Sequence, residues 1–341
     1  MARHYLVTGG AGFIGSNYVN RLLARAEDVT IYDNLSRAGA PKNLEWLKKE
    51  FGDKSFNVIQ ADVRDASSIA EAARRADVII HLAGQVAVTT SVTNPRDDFE
   101  SNALGTFNTL EAARLSERDP IFIFASTNKV YGGMDDVKVA EDATRWRYAD
   151  LVNGCPESQP LDFHSPYGCS KGTGDQYVRD YARIYGLRSV VLRQSCIYGP
   201  RQFGIEDQGW LAWMMIAAVT GRKITIYGDG KQVRDVLHVN DLLNAYDAAI
   251  EKIEIAKGRV YNMGGGAQNV LAVWAEFGPM LEKLLGKKIE VARADWRPGD
   301  QRVFYADYSK AKHELGWTPK IGLEEGIERL FHWVKENKKL F

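Results

Sequence analysis

Long apolar runs are missing from this chain. No stretch of its 341 residues approaches the about 20 apolar residues that a membrane-crossing helix needs. No membrane partner is therefore expected. Excess charge is missing too: Lys+Arg and Asp+Glu both number 44. A balanced chain offers no broad field for a polyanion, so no nucleic-acid partner is expected and any phosphate recognition has to be local. Cysteine is scarce. Cys155, Cys169 and Cys196 are odd in number and form no CxxC, which excludes a disulfide framework and makes a metal centre unexpected. Cys169 reads as a small, semi-apolar filler. An apolar strand pattern starts almost at once, leaving no room for a signal peptide, and the thiols read as reduced, so the expected location is the cytoplasm.

What is present begins within the first line, at His4-Tyr-Leu-Val-Thr-Gly-Gly-Ala-Gly-Phe-Ile-Gly15. A short apolar run meets a glycine cluster and opens directly into an apolar-periodic segment, which predicts strand, tight turn and helix. Gly9, Gly10, Gly12 and Gly15 satisfy the spacing of a dinucleotide loop: early glycines turn the chain, Gly12 admits a pyrophosphate, and Gly15 lets helix pack on strand. The N–H groups of Phe13 and Ile14 then open a helix whose positive end suits phosphate. Asp33 closes the next apolar run, near the roughly 20-residue spacing expected for a carboxylate that takes ribose hydroxyls. A carboxylate there repels a 2′-phosphate, and Arg37 is the only nearby positive compensation. NAD rather than NADP is the expected cofactor, and a tightly held one. Asn34, Ser36 and Arg37 after Asp33 complete this corner.

Strand and helix patterns alternate through the first two-thirds: helix 41–51, strand 56–60, helix 67–75, strand 77–82, a long amphipathic helix 97–116 and strand 120–126. Such alternation predicts parallel strands with helices on both faces, hence an α/β, Rossmann-like doubly wound sheet with a smaller mixed α/β lobe after it. We divide the chain at residue 198, with 199–341 forming mainly a substrate lobe and some chain crossing back. Residues 133–163 read as polar and irregular. Ligands of such sheets lie at strand carboxyl ends. Asp62 and Val63 close one strand, with Asp62 able to meet an adenine amino group. Leu82, Ala83 and Gln85 close another with small residues, and Ser126-Thr127-Asn128-Lys129 close a third with hydroxyls.

Farther on, Tyr167 and Lys171 stand at i and i+4, on one face of a predicted helix. A cation beside a phenol lowers its pKa, and the pair can move a proton on and off a sugar hydroxyl.

At these residues the sequence resembles the extended short-chain dehydrogenase/reductases that modify nucleotide sugars: TGGAGFIG, DNL at Asp33, HLAGQ, STNKVYG and SPYGCSK. The resemblance spans essentially the whole chain. It implies a catalytic set of Thr127, Tyr167 and Lys171, with Asn102 supporting the site. Tyr167 would exchange the hydroxyl proton, Thr127 would hold the same oxygen, and Lys171 would bind the nicotinamide ribose and depress the phenol pKa. It further implies that Arg234 and Arg297 bind a diphosphate, with Arg302 able to share that role. The expected partners are a nucleotide-diphosphate sugar and further copies of the chain, as a homodimer or homotetramer.

The 4,6-dehydratases of this group resemble one another in an Asp-Glu pair directly after the Thr. Here those positions are Asn128 and Lys129, so the elimination lacks its acid and an epimerase is expected. STNKVYG, LDFHSPYGCSKG and the DQGW, GKQVRDVLH and DQRVF segments look most like the CDP-paratose (CDP-tyvelose) 2-epimerase subgroup, which favours a CDP-sugar. A UDP-hexose 4-epimerase is the alternative within enzymes. A non-catalytic dinucleotide sensor is the alternative of another class, although sensors typically lose the Tyr/Lys pair that this chain keeps. Lys129 is open to two readings: a solvated charge at a strand end, or a substrate-site residue beside Asn128.

Overall fold

A computed structural model describes residues 2–297 and 300–341. Its centre is a parallel seven-stranded sheet in the order Val260–Met263, Arg188–Gln194, Ile121–Thr127, Val78–His81, His4–Thr8, Asp28–Tyr32, Asn57–Ile59. The alternation of side chains along each strand sends successive residues to opposite cores. Tyr5 and Val7 enter one cluster with Tyr18, Leu22, Leu47 and Leu242, under helices Phe13–Ala24, Ala40–Phe51 and Val239–Glu251. Leu6, Phe122 and Phe124 enter the other with Ile69, Leu110 and Val178, under helices Ala66–Ala73, Gly105–Arg114 and Ser165–Tyr185. Both faces are thus covered, as a parallel sheet requires. Strand order reverses beside His4–Thr8, and there a crevice opens at the strand ends.

The expected helix over 97–116 is instead three pieces: Pro95–Phe99, a π-helical turn Glu100–Leu104, and Gly105–Arg114. The wider turn aims Asn102 inward, where its amide donates to Asp98 Oδ1 and Ser170 Oγ at 3.1 Å each. Periodicity at the ends of such a run is insensitive to one inserted residue.

The second lobe is built on strand Val233–His238. It pairs with Val270–Ala272, Val303–Phe304 and Cys196–Tyr198. Val260–Met263 returns to the edge of the central sheet. Residues 133–163, read from sequence as irregular, contain a hairpin, Val139–Glu141 with Trp146–Tyr148. Tyr148 and Cys155 are buried with Val303 and Phe304, and Cys155 exchanges backbone hydrogen bonds with Tyr305 and Asp307. That segment is packed, its partners lying far along the chain. No helix among the described residues is long and apolar enough to cross a membrane.

Candidate active site

Two adjoining cavities occupy the crevice, of about 560 Å³ and about 230 Å³. The larger is framed by the glycine loop. Gly9 has φ +68°, and a Cβ there would meet Ala83 N at 2.8 Å; at Gly15 it would meet Gly9 O at 2.2 Å. Gly12 differs: its only close neighbour would be Gly9 O at 3.1 Å. Gly12 faces the cavity and caps helix Phe13–Ala24 with no side-chain partner. The first-turn N–H groups of that helix are therefore open to a phosphate, and a side chain at Gly12 would fill the cradle.

Asp33 stands below this turn. Its carboxylate accepts from Ala11 N at 3.0 Å and Leu35 N at 2.8 Å, while burial raises its pKa. Asn34, Ser36, Arg37, Asp62, Val63, Leu82, Ala83 and Gln85 line the same cavity with Gly9, Phe13, Ile14 and Gly15. Asp62 is already engaged: Arg64 donates to both its oxygens and Asn34 Nδ2 donates at 2.8 Å, holding its carboxyl at about 2. The buried Oε1 of Gln85 and of Gln202 and Oδ1 of Asn43, all in the cavity wall, have no partner among the described residues. A polar ligand with phosphate, ribose and amide groups fits this donor and acceptor set. Asn102 does not line the cavity. It sits behind the wall, its unpartnered Oδ1 against Gly84.

Tyr167 lines both cavities, Lys171 the larger and Thr127 the smaller. Helix Ser165–Tyr185 presents Tyr167 and Lys171 from its first turns, the Tyr167 N–H donating to Ser91 Oγ at 3.1 Å. The expected lowering of the Tyr167 pKa by Lys171 is not what the structure shows. Burial pushes the phenol up to about 12, opposed by hydrogen bonding with Thr127 and by the charge of Arg37. Burial in turn pushes the Lys171 ammonium down to about 8, against the pull of Asp175 and Asp98. Lys171 Nζ lies 4.3 Å from the centre of the Phe124 ring, which accounts for part of its shielding. On the ring's other neighbour, His81, burial forces the imidazole down to about 3, held neutral between Thr8 Oγ1 and Thr106 Oγ1.

The second lobe closes the cleft in a way the sequence did not announce. Residues 201–205 and Gln208 line the larger cavity, and Arg37 Nη2 donates across it to Gln208 Oε1 at 2.7 Å. Gln194, Ser195, Cys196, Tyr198, Gly209 and Trp210 line the smaller one. Gln208, Gly209 and Trp210 fall in the DQGW segment already singled out by its resemblance, whereas Gln194, Ser195, Cys196 and Tyr198 belong to no spaced motif and only their place at and after the end of strand Arg188–Gln194 could have flagged them. The three candidate arginines each have their own partner, and Asp300, whose N–H donates to Arg297 O at 3.1 Å, links Arg234 to Arg297. Arg234 is buried and pairs with Asp300 at 2.5 Å. Arg297 pairs with Asp207 at 3.1 Å and stacks on Tyr227. Arg302 is exposed, its guanidinium 4.5 Å from the centre of the Trp146 ring on the hairpin, so the structure gives it no place at the cavity. Asn128 and Lys129 form the short turn Asn128–Tyr131 beyond Thr127. Residues 298 and 299, inside the arginine-bearing stretch, lie outside the described residues.

Comparison with known proteins agrees with this geometry. Residues 6–330 match the GDP-mannose 4,6 dehydratase family. The chain is 43% identical over 336 residues to the CDP-paratose 2-epimerase of Salmonella typhi, covering 96% of this chain and 98% of that protein. Among solved structures, the UDP-glucose 4-epimerase of Thermotoga maritima superposes with a TM-score of 0.83 at 31% identity, covering 98% of this chain and 99% of its own. The dTDP-glucose 4,6-dehydratase of Streptomyces venezuelae, solved with NAD bound, gives a TM-score of 0.85 at 29% identity, covering 99% and 98%.

Proposed function

The chain belongs to the GDP-mannose 4,6 dehydratase family of extended short-chain dehydrogenase/reductases, and on that premise we propose that it is an NAD-dependent nucleotide-sugar epimerase. We further propose that it inverts C2 of a CDP-linked sugar, converting CDP-paratose to CDP-tyvelose. The observation that carries the first statement is the place of Tyr167, whose side chain lines both the glycine-loop cavity and the cavity of the second lobe. One proton-transfer group thus borders the space for a cofactor and the space for a sugar. The 2-epimerase reading rests on the 43% identity to a protein of that name. It is also consistent with the absence of an acidic pair at Asn128 and Lys129.

We assign the dinucleotide to the glycine cradle, Asp33 and the surrounding wall, with Lys171 beneath its nicotinamide ribose. Bound there, the cofactor supplies a hydride acceptor and donor and, when oxidised, a positive charge beside the phenol. The chain's own residues do the rest. Tyr167 Oη takes the proton of the sugar hydroxyl and later returns it. Thr127 Oγ1 holds that oxygen while it is a carbonyl. Lys171, charged below about pH 8, is assigned to favour the phenolate form that accepts the proton of the substrate hydroxyl. Arg234 holds the diphosphate, so the keto-sugar turns about the bonds that join phosphate to ring and presents its other face. A redox-neutral cycle of this kind needs no exchange of cofactor.

Helices Pro95–Phe99, Gly105–Arg114 and Ser165–Tyr185 expose Phe99, Phe107, Tyr177 and Tyr185. This apolar strip supports association with a second copy, as a homodimer or homotetramer.

The function is tested by incubating the purified protein with CDP-paratose and with UDP-glucose and following the products by NMR. Inversion at C2 of the CDP-sugar is expected. Inversion at C4 of the UDP-sugar alone would overturn the C2 reading in favour of a hexose 4-epimerase. On the cofactor side, Asp33→Ala should weaken NAD while affecting NADP much less, since it removes the acceptor of ribose hydroxyls and the charge that repels a 2′-phosphate. Equal loss of both nucleotides in a binding titration would remove Asp33 from that role.

A further inference from the structure

The second lobe meets the larger cavity through one short segment, residues 201–208. Left-handed backbone brackets it: Arg201 has φ +69° and Gly209 φ +73°. A residue other than glycine keeps such a φ only where its surroundings enforce it. Around Arg201 they do. Asn17 Nδ2 donates to Pro200 O at 3.0 Å and Asn43 Nδ2 donates to Arg201 O at 3.3 Å. The Arg201 guanidinium lies 4.1 Å from the centre of the Trp46 ring. Two residues on, the Phe203 ring presses on Gly39, where a Cβ would meet it at 2.4 Å. Gly39 has an ordinary φ of −83°, so the close approach of this ring, and not the backbone, is what asks for glycine. Phe341 backs the same ring, with centroids 5.4 Å apart. The segment then turns, Ile205 and Gln208 exchanging backbone hydrogen bonds of 3.0 and 2.9 Å. Asp207 in that turn pairs with Arg297 at 3.1 Å, and Gln208 Oε1 accepts from Arg37 Nη2 at 2.7 Å.

Arg37 and Gly39 line the larger cavity from the first lobe, Phe203 and Gln208 from the second. Their two contacts therefore join one wall to the other around the space assigned to the dinucleotide. Gln202, 7% exposed, lines both cavities from the same segment, and its Oε1 has no partner among the described residues. Resting on the cofactor reading and going beyond it, we propose that residues 201–208 are a strap that closes over the dinucleotide and gates its exchange. The strap must unfasten at Phe203–Gly39 and at Gln208–Arg37 before the dinucleotide enters or leaves. The fastenings are unequal. Water competes for the exposed Arg37–Gln208 bond, whereas those of Asn17 and Asn43 are partly shielded. Opening thus begins at the Gln208 end, with Arg201 and Gly209 the positions where the backbone turns. A cycle that returns each hydride to its own substrate gains nothing by releasing the dinucleotide between turnovers, so slow exchange carries no penalty for catalysis.

The test follows exchange rather than activity. Protein loaded with radiolabelled NAD is placed in a large excess of unlabelled NAD, and the label left on the protein is read over time. Affinity is measured separately by equilibrium dialysis. Gln208→Ala removes the acceptor of the Arg37 bond and should speed release by about 10-fold, the scale of one hydrogen bond to a charged group. Phe341→Ala loosens the backing of Phe203 and should act in the same direction. Phe341 lines neither cavity, so this variant removes no wall contact. In both, affinity should fall much less than release quickens, because a strap that bars the way slows entry and exit alike. Gln208→Glu keeps an acceptor for Arg37 and should release label as slowly as the wild type. Unchanged release in both alanine variants would overturn the strap. An affinity that falls in step with release would do so too, since the segment would then be a contact surface and no gate, as would a Gln208→Glu variant as fast as Gln208→Ala. Protein that takes up no labelled NAD would overturn the cofactor assignment and the strap together, whereas the other failures touch the strap alone.

Discussion

Replacing Tyr167 by Phe should lower turnover by about 10²–10⁴-fold, the range of a general acid–base group, with fold and bound dinucleotide retained. The ring is 8% exposed, wedged between the two cavities, and Phe keeps its packing. Only the oxygen that exchanges the proton is lost. The pH profile sharpens the prediction. A buried ammonium with its pKa lowered to about 8 is charged below that pH and neutral above it, so raising pH through 8 discharges Lys171. The cation that favours the Tyr167 phenolate then disappears, and kcat should fall on the alkaline side near pH 8. Lys129 discharges in the same range. The two are told apart by mutation: the kcat limb should persist in Lys129→Met and be absent from the residual activity of Lys171→Met. A Tyr167→Phe variant with near-wild-type turnover would reduce Tyr167 to a wall residue.

The second large effect is expected on stability. Arg193 and Asp175 are 3% and 0% exposed and joined by two hydrogen bonds of 2.8 Å. Ser126 Oγ donates to Asp175 at 2.7 Å, Arg193 Nη1 donates to the Tyr131 hydroxyl at 3.0 Å, and that hydroxyl donates to Asn262 at 2.8 Å. The network pins helix Ser165–Tyr185 to three neighbouring strands directly beneath Thr127. Asp175→Asn leaves the Arg193 charge buried and uncompensated, which costs about 3–5 kcal/mol in such settings. Urea unfolding should show that loss as a lower midpoint at unchanged slope. Joint replacement by apolar residues, Asp175→Leu with Arg193→Met, should recover much of it, because no charge then remains to be buried. A change within about 0.5 kcal/mol for Asp175→Asn, the range of an ordinary surface substitution, would show that the pair is not the clamp described.

Much of the wall of the larger cavity was legible because it is local. The glycine spacing, Asp33, Leu82–Gln85 and the Tyr167–Lys171 helix face each lie within one strand–turn–helix unit, where spacing alone dictates which side chains share a face. The second lobe was harder to read. Arg37 meets Gln208, and Asn17 donates to Pro200 O, across gaps of 171 and 183 residues. No periodicity records such contacts. Arg302 illustrates the limit: its neighbourhood in sequence suggested a diphosphate ligand, yet the strand register turns it outward onto Trp146. The direction of the Tyr167 pKa was illegible for another reason. Sequence shows that a cation is four residues away, but only packing shows that burial raises the phenol and that Thr127 and Arg37 are the groups opposing it.

The central claim is that one sugar carbon is transiently oxidised by a hydride transfer in which Tyr167 moves the proton. It is tested most directly with a CDP-sugar deuterated at C2 and converted in ordinary water, with the product read by NMR and mass spectrometry. Hydride removed and returned within the closed site keeps the label, so deuterium should remain on the inverted C2. Complete exchange of that label with solvent would mean that C2 is deprotonated beside a carbonyl instead, and would contradict both the redox cycle and the role assigned to Tyr167.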